Sequence, residues 1–179
     1  PKPSSAASDV YKRQNGERCL KEAMVVWRDI QSAAEEAYDR SSECSFTSFV
    51  GYEWTASVGH GQNLHRNVIF RNDKVPPLPV SWIDTPTAVD LWDQLQSECV
   101  DGISGCDAFT IPHNSNLSNG TMYVPDVPSS QDPTELAALR AELEPLVEVM
   151  QHKGDGECIP GLSGILGEPD EFCAFEKMQ

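Results

Sequence analysis

The sequence predicts an α/β fold. After a first amphipathic helix, the segments follow in the order strand, strand, helix, strand, helix, strand. Polar residues stand at the ends of three predicted strands, namely Glu53, His113, and His152 with Lys153. This placement is typical of barrels of alternating strands and helices, in which functional groups gather at the C-terminal ends of the strands. With 39% hydrophobic residues, the 179-residue chain can bury one core.

The charge balance excludes two classes of partner. Lysine and arginine total 13 against 28 acidic residues, which gives a formal net charge of -15. Such a chain has no basic stripe to bind a nucleic acid backbone or an anionic membrane surface. It also has no run of about 18 apolar residues that could cross a bilayer. We therefore expect a small-molecule partner, with no nucleic acid and no membrane.

The cysteine content bears on location and on cross-links. Six cysteines are more than we expect in a cytosolic enzyme of this size, and they slightly favour a periplasmic or secreted protein. Cys99 with Cys106, and Cys158 with Cys173, are close enough in sequence to close short loops. We predict these two disulfides, although spacing alone does not fix connectivity.

The N-terminal region divides into a tail and a helix. Residues 1–14 are small and polar without periodicity, which predicts a disordered tail, and Ser4 to Gln14 resembles a terminal peptide found on unrelated proteins translated from environmental sequence. The folded domain is therefore expected at residues 15–179. From Glu17 to Arg40, apolar residues at intervals of three and four predict an amphipathic helix packed on a sheet. This stripe comprises Leu20, Met24, Trp27, Ile30, Ala34, Ala37 and Tyr38.

Two β-prone runs come next, Phe46 to Thr55 and Leu64 to Arg71, joined by a loop that contains two glycines. Alternation in the first run places Glu53 near the strand end among apolar residues. A carboxylate buried there needs a cation, a set of donors or a proton, because an unpaired buried charge is costly.

The second run carries His65, which would lie beside the carboxylate of Glu53 if the two runs are antiparallel. The loop then returns His65 to the side of Glu53, and a carboxylate with a neutral imidazole suits zinc, manganese or iron. Alternatively, Glu53 pairs with Arg66 or Arg71, and His65 caps a strand.

A second helix is predicted from Thr85 as N-cap and Pro86 at the first helical position. It ends before Gly102. Its apolar stripe comprises Ala88, Trp92, Leu95 and Cys99. Asp107 to Ile111 then has the character of a short buried strand, and His113 stands just past its end.

A third helix begins at Asp132, which is followed by Pro133 and Glu135 in the pattern of an N-cap, a proline at N1 and a carboxylate at N3. Its buried face comprises Leu136, Leu139 and Leu143. Pro145 cannot continue this helix, so Leu146 to Gln151 is expected to form the next strand. Asp170 to Met178 has the pattern of a further helix start.

Five blocks of sequence, in order, resemble a known family. They are Gly51-Tyr-Glu-Trp-Thr, Asn63-Leu-His-Arg-Asn-Val, Ile111-Pro-His-Asn-Ser-Asn-Leu-Ser-Asn-Gly, Glu144-Pro-Leu-Val-Glu-Val-Met-Gln-His-Lys-Gly and Asp170-Glu-Phe. The resemblance is to an uncharacterised bacterial group, domain-of-unknown-function family 3604, and covers most of the chain from about Trp27 to Phe175. That family is in turn similar to the PHP (polymerase and histidinol phosphatase) superfamily, whose members have a distorted α/β barrel with metals clustered at strand ends.

The resemblance implies a metal-dependent hydrolase that acts on phosphate esters through a metal-activated water, without a protein nucleophile. It implies that Glu53 is a carboxylate shared between metals and that His65 and His113 are imidazole ligands. The expected cofactors are divalent zinc, manganese or iron.

Position in the same motifs, together with charge, suggests further residues. Arg66, Asn114 and Lys153 are expected around the substrate, Arg66 and Lys153 as phosphate contacts. His152 and Glu157, beyond the last predicted strand, are candidates to support the metal ligands from behind.

Two motifs of the superfamily are missing from the sequence, an initial His-x-His and a final Asp-x-His. The resemblance therefore implies an internal piece of an incomplete PHP-like barrel, which alone binds metal weakly and has little or no activity. The alternative is a non-catalytic ligand-binding α/β domain in which Glu53, His65 and His113 are satisfied by hydrogen bonds. Convergence of these three side chains on one point distinguishes the two interpretations.

Overall fold

A computed structural model of the chain describes residues 17–58, 62–115, 117–118, 121–123, 132–149, 164–165 and 168–169. These residues form a mixed α/β structure, which confirms the predicted class, whereas the PHP-like barrel stays a prediction. In chain order the elements are α1 (Glu17–Ala37), β1 (Val50–Trp54), β2 (Ser57–Val58), β3 (Gln62–Asn63), β4 (Arg66–Phe70), α2 (Ala88–Leu95), a π-helical turn (Gln96–Val100), β5 (Ala108–Pro112), α3 (Pro133–Leu143), β6 (Gly164–Ile165) and β7 (Glu168–Pro169).

The main sheet has three strands in the order β1-β4-β5. Strands β4 and β5 run antiparallel, as two backbone hydrogen bonds show. Arg71 N donates to Asp107 O at 3.0 Å, and His113 N donates to His65 O at 3.3 Å, so the end of each strand lies beside the start of the other. Alternate residues of β4 and of β5 are buried, so one face of each strand is covered.

A short antiparallel ribbon lies in the loop between β1 and β4. In this ribbon β2 pairs with β3, with Ser57 opposite Asn63 and Val58 opposite Gln62. Leu64 N donates to Ala56 O at 2.9 Å and continues the pairing toward β1 and β4. The antiparallel return that the sequence suggested is therefore present. Strands β6 and β7 form a separate antiparallel pair.

The chain groups into two compact units. The first comprises Pro1–Tyr52 and Ile69–Ala108, and the second comprises Glu53–Val68 and Phe109–Gln179. In the part of the chain that the structure describes, no helix is both long enough and apolar enough to span a membrane.

The core of the first unit forms around Trp27 of α1. Its ring meets Tyr52 edge-on, with centroids 5.7 Å apart, and lies 6.0 Å from the ring of Phe70. The indole Nε1 donates to Pro76 O at 2.9 Å, so the single polar atom of this buried ring has a partner. The predicted packing of α1 against strand residues is confirmed.

The predicted stripe of α1 is buried only in part. Trp27 and Ala34 are buried, whereas Leu20 is 38% and Met24 is 37% exposed. The packing aromatics meet the middle of the helix, and its first turns keep apolar side chains in contact with solvent.

The start of α2 differs from the prediction by two residues. Thr87, not Thr85, is the N-cap, and it forms a capping box in which its hydroxyl accepts from Asp90 N at 3.1 Å while Asp90 Oδ2 accepts from Thr87 N at 3.1 Å. The Thr85 hydroxyl is buried and donates to Ser81 O at 2.8 Å. The helix therefore begins at the capping box of Thr87 and Asp90 and not at the Thr85-Pro86 pair.

The predicted disulfide between Cys99 and Cys106 is present and buried. It joins the π-helical turn to the start of β5. Gly102 lies between, and a Cβ there would stand 2.6 Å from Ser97 O, so this tight turn excludes a side chain. Cys158 and Cys173 lie outside the described residues.

The second unit is built on α3 and β5. Asp132 is the N-cap of α3 as predicted, and hydrogen bonds from the backbone N–H groups of Thr134 and Glu135 hold the pKa of its carboxyl below the ordinary value. The Thr110 hydroxyl of β5 donates to Leu143 O at 2.9 Å, which satisfies a carbonyl at the end of α3.

The strand predicted at Leu146 to Gln151 is absent over residues 146–149. This segment makes one backbone hydrogen bond to β5, from Glu148 N to Pro112 O at 3.2 Å, and Val149 is 85% exposed. A single ladder bond does not make a strand, so the β-branched residues here lack the pairing that their propensity favours. Residues 150–151, the predicted tail at 1–14 and the predicted helix start at Asp170 to Met178 lie outside the described residues.

We expect the double variant C99A/C106A to be less stable than the wild type. The disulfide joins cysteines seven residues apart. Because it restricts the unfolded chain, it contributes about 2.5 kcal/mol to the free energy of unfolding. Urea unfolding followed by circular dichroism measures this loss. The control is C19A, since Cys19 is an exposed free cysteine and its loss should change stability by less than about 0.5 kcal/mol. Equal stabilities of the double variant and the control would contradict the prediction.

Candidate metal centre

Three predicted ligands converge in the second unit. Glu53 stands near the end of β1, His65 precedes β4, and His113 follows β5. Glu53 Oε1 lies 3.1 Å from His65 Nδ1 and 3.2 Å from His113 Nε2, and the two ring nitrogens are 3.2 Å apart. The three atoms therefore form a nearly equilateral triangle.

The backbone explains this convergence. Because β4 lies between β1 and β5, a residue at the start of β4 has neighbours on both sides. The bond from His113 N to His65 O fixes the two histidines opposite each other, and their rings meet edge to face with centroids 5.1 Å apart. The antiparallel ribbon brings Glu53 from the other side.

The triangle has dimensions that suit a divalent ion. Two ligand atoms about 2.1 Å from one ion stand about 3.4 Å apart in a tetrahedral site and about 3.0 Å apart at neighbouring octahedral positions. The observed separations of 3.1 and 3.2 Å fall between these values. Three donors on one side of an ion leave its other positions open, as in sites that bind water or substrate.

While Glu53 is ionised, the three contacts of this triangle cannot all be hydrogen bonds. The carboxylate oxygen of Glu53 only accepts, and each ring nitrogen either donates or accepts according to its proton. Around a closed set of three mutual contacts, donors and acceptors cannot alternate, so at least one contact joins two like groups. A cation removes the conflict, because all three atoms then direct lone pairs at it. The residues therefore fit a metal ion by their geometry and by their donor chemistry.

The environment of the carboxylate differs from the sequence prediction. The side chains of His65 and His113 are 14% and 16% exposed, but that of Glu53 is 43% exposed. The expectation that Glu53 is buried among apolar residues is wrong, because alternation in β1 buries Val50 and Trp54 and leaves Glu53 open to solvent. The centre is thus lined by sheltered imidazoles and opens beside its carboxylate.

Two hydroxyls, missed in the sequence, hold two of the ligands. Thr55 Oγ1 donates to Glu53 Oε2 at 3.2 Å, which leaves Oε1 for the triangle. Ser57 Oγ lies 3.5 Å from His65 Nε2, the nitrogen that faces away from the other ligands. Such outer contacts fix the tautomer and orientation of ligands. Among the described residues, the buried Nδ1 of His113 has no hydrogen-bond partner.

Arg66, predicted near the substrate, lies inside the second unit instead. Its side chain is 4% exposed, its Nε donates to Glu144 Oε2 at 2.7 Å, and its other nitrogens donate to Leu64 O and Met122 O. The guanidinium also lies 5.9 Å from the centre of the Trp54 ring. Its role as a phosphate contact stays a prediction that this geometry does not favour.

The carboxylate that pairs with Arg66 is that of Glu144, which also binds Arg140. Glu144 is 2% exposed, and its Oε1 accepts from Arg140 Nε and Nη2 at 3.2 and 3.0 Å. The hydroxyl of Thr110 lies 3.4 Å from its Oε2. Sequence reasoning missed this network, since Arg66 and Glu144 are 78 positions apart. Burial raises the pKa of the nearby Tyr123 phenol, and the negative charge of Glu144 raises it further.

Of the remaining predicted site residues, the structure describes one, Asn114, and not the other three. Asn114, next to His113, is buried, and its amide donates to Glu148 Oε2 at 3.4 Å. Lys153, His152 and Glu157 lie outside the described residues.

Comparison with known proteins places the chain in a family. The family model described as "Protein of unknown function (DUF3604)" matches residues 2–179. The chain belongs to the DUF3604 family. No curated protein and no solved structure matches it. The predicted resemblance to the DUF3604 family is therefore confirmed. The similarity to the PHP superfamily stays a prediction.

We expect Glu144→Ala to destabilise this DUF3604 chain by about 3 kcal/mol or more, because it leaves the buried charge of Arg66 without its partner. Urea unfolding at pH 7 measures the loss. Glu142→Ala is the matched control, since Glu142 is exposed on the same helix and should cost less than about 0.5 kcal/mol. A loss below about 1 kcal/mol for Glu144→Ala would show that the pair is not essential to the fold.

Proposed function

We propose that this chain carries a metal centre of a hydrolase that uses metal-activated water, with phosphate esters as the substrate class. The observation that supports the proposal is the closed triangle of Glu53 Oε1, His65 Nδ1 and His113 Nε2, with sides of 3.1 to 3.2 Å. The ligand set of two imidazoles and one carboxylate is that of hydrolytic zinc sites, and iron(II) sites also use it. Zinc, manganese and iron are therefore the candidate ions.

A bound divalent ion supplies Lewis acidity, which lowers the pKa of a coordinated water toward neutrality and polarises an ester oxygen. The chain's own residues perform the positioning. His65 and His113 present sheltered lone pairs, and Thr55 keeps the second oxygen of Glu53 turned away from the triangle. Because water is the attacking group, the chemistry requires no serine or cysteine nucleophile.

A cleft large enough for a small substrate lies in the second unit. It has a volume of about 570 Å³ and is lined by Pro112 and Ser115, which flank His113 in sequence, but not by the three proposed ligands themselves. Its volume lies in the range of small-molecule sites, about 300 to 1,000 Å³. The choice of a phosphate ester rests on the resemblance to the PHP superfamily.

The second candidate is a non-catalytic ligand-binding domain in which Glu53, His65 and His113 are structural. The contacts to the hydroxyls of Thr55 and Ser57 favour it, because they would also order the cluster without an ion. The two candidates differ in whether a metal binds and in whether a bound metal supports turnover.

We expect zinc to bind this chain at one site formed by the triangle. Isothermal titration with zinc or manganese should give one ion per chain, and Glu53→Gln or His65→Ala should weaken binding at least about tenfold. Glu43→Gln is the control, because Glu43 is exposed and outside the cluster. Unchanged zinc affinity in both ligand variants would remove the basis of the metal centre.

We expect the hydrolysis of bis(4-nitrophenyl) phosphate to be slow, since the resemblance implies little activity for this chain alone, and to require saturating zinc or manganese, because only the bound ion activates water here. Release of 4-nitrophenolate measures it. The rate should fall to background with a chelator and with Glu53→Gln, and should be unchanged with Glu43→Gln. Zinc binding at the triangle without turnover would favour the non-catalytic domain.

A further inference from the structure

A second cleft, remote in sequence from the metal ligands, lies in the first unit. It has a volume of about 520 Å³ and forms between the first turns of α1, the proline-rich connector and the end of α2. Its apolar walls comprise Leu20, Ala23, Pro77, Leu78, Pro79, Val80 and Ile83. Apolar clefts of this size with a few polar groups are typical of sites for small ligands.

The charged residues at this cleft share one sign. Asp84 and Glu98 line it, and its lining within the described part of the chain includes no lysine, arginine or histidine. From the described residues, Asp84 accepts a hydrogen bond from Ser81 Oγ and Glu98 accepts one from Gln94 Nε2, both at 2.7 Å. A carboxylate has about four acceptor positions, so each retains capacity for a donor from a ligand.

The phenol of Tyr52 lies near Glu98 and the backbone of Val80, which both line the cleft, but Tyr52 itself does not line it. Burial raises the pKa of this phenol, a hydrogen bond with the Val80 backbone lowers it, and the charge of Glu98 raises it. The polar groups that the cleft offers to a ligand are therefore its two carboxylates.

We propose that this cleft binds a small aliphatic amine, with its hydrocarbon chain against the apolar wall and its ammonium group beside Glu98. The wall supplies burial of apolar surface, and Leu20 on α1 and Ile83 on the connector are exposed apolar residues that such a chain would cover. The carboxylates supply the preference for a cation over an anion. This site is independent of the proposed hydrolase activity.

The test compares two probes that differ only in the sign of the head group, octylammonium and octanoate, at pH 7. Titration followed by NMR chemical shifts should show octylammonium binding at least about tenfold more tightly, with shifts at residues of α1 and the connector. Glu98→Gln should reduce this preference to less than about threefold, and Glu36→Gln, at an exposed position on α1, should leave it unchanged.

A second pair of variants tests the apolar wall. Ala23→Trp should fill the cleft and weaken octylammonium binding at least about tenfold, whereas Ala33→Trp, on an exposed position of the same helix, should have no effect. Equal affinity for the two probes, equal effects of the two tryptophans, or no binding at millimolar concentration would overturn the proposal. A dimer that octylammonium does not dissociate would also overturn it, since the cleft would then be an interface between copies.

Discussion

The candidate centre depends on the pairing of β4 with both of its neighbours. His113 N donates to His65 O, so the two imidazoles enter the same space from adjacent strands, and the antiparallel ribbon brings the carboxylate of Glu53 to them from the other side. No single segment could assemble this set, because the three ligands belong to three strand ends. Backbone hydrogen bonds fix these ends more firmly than side-chain contacts could, and this rigidity holds three donor atoms within 3.2 Å of each other.

The parts of the fold that the sequence predicted are those with local signals. Asp132 as N-cap of α3 needs only the next three residues, and the Cys99–Cys106 disulfide needs only a short loop. The pairing of Glu53 with His65 required one further step, an antiparallel return through a glycine-containing loop, and the ribbon supplies it. The sequence pattern placed His113 just past a predicted strand, but its role as a third ligand came from the family resemblance, because its relation to β4 is a long-range pairing.

Some features of the structure come from interactions that local patterns do not show. The expected place of Arg66 near the substrate stays a prediction, and sequence reasoning missed its ion pair with a carboxylate 78 positions away. Residues 146–149 have the composition of a strand and lack the ladder that a strand needs. At α2, two capping signals lay two residues apart, and the reciprocal bonds of Thr87 and Asp90 decided between them. In each case the tertiary or reciprocal contact outweighed a propensity.

Two carboxylates of the second unit differ in the groups that compensate their charge. Glu144 is buried between the guanidinium groups of Arg66 and Arg140, so its charge is compensated within the chain. Glu53 meets two imidazoles instead, and neutral imidazoles bring no charge to offset it. One protonated imidazole would offset this charge and could donate to the carboxylate, whereas two would place their N–H groups face to face at 3.2 Å. The divalent ion that we propose would offset the carboxylate and accept both nitrogen lone pairs at once.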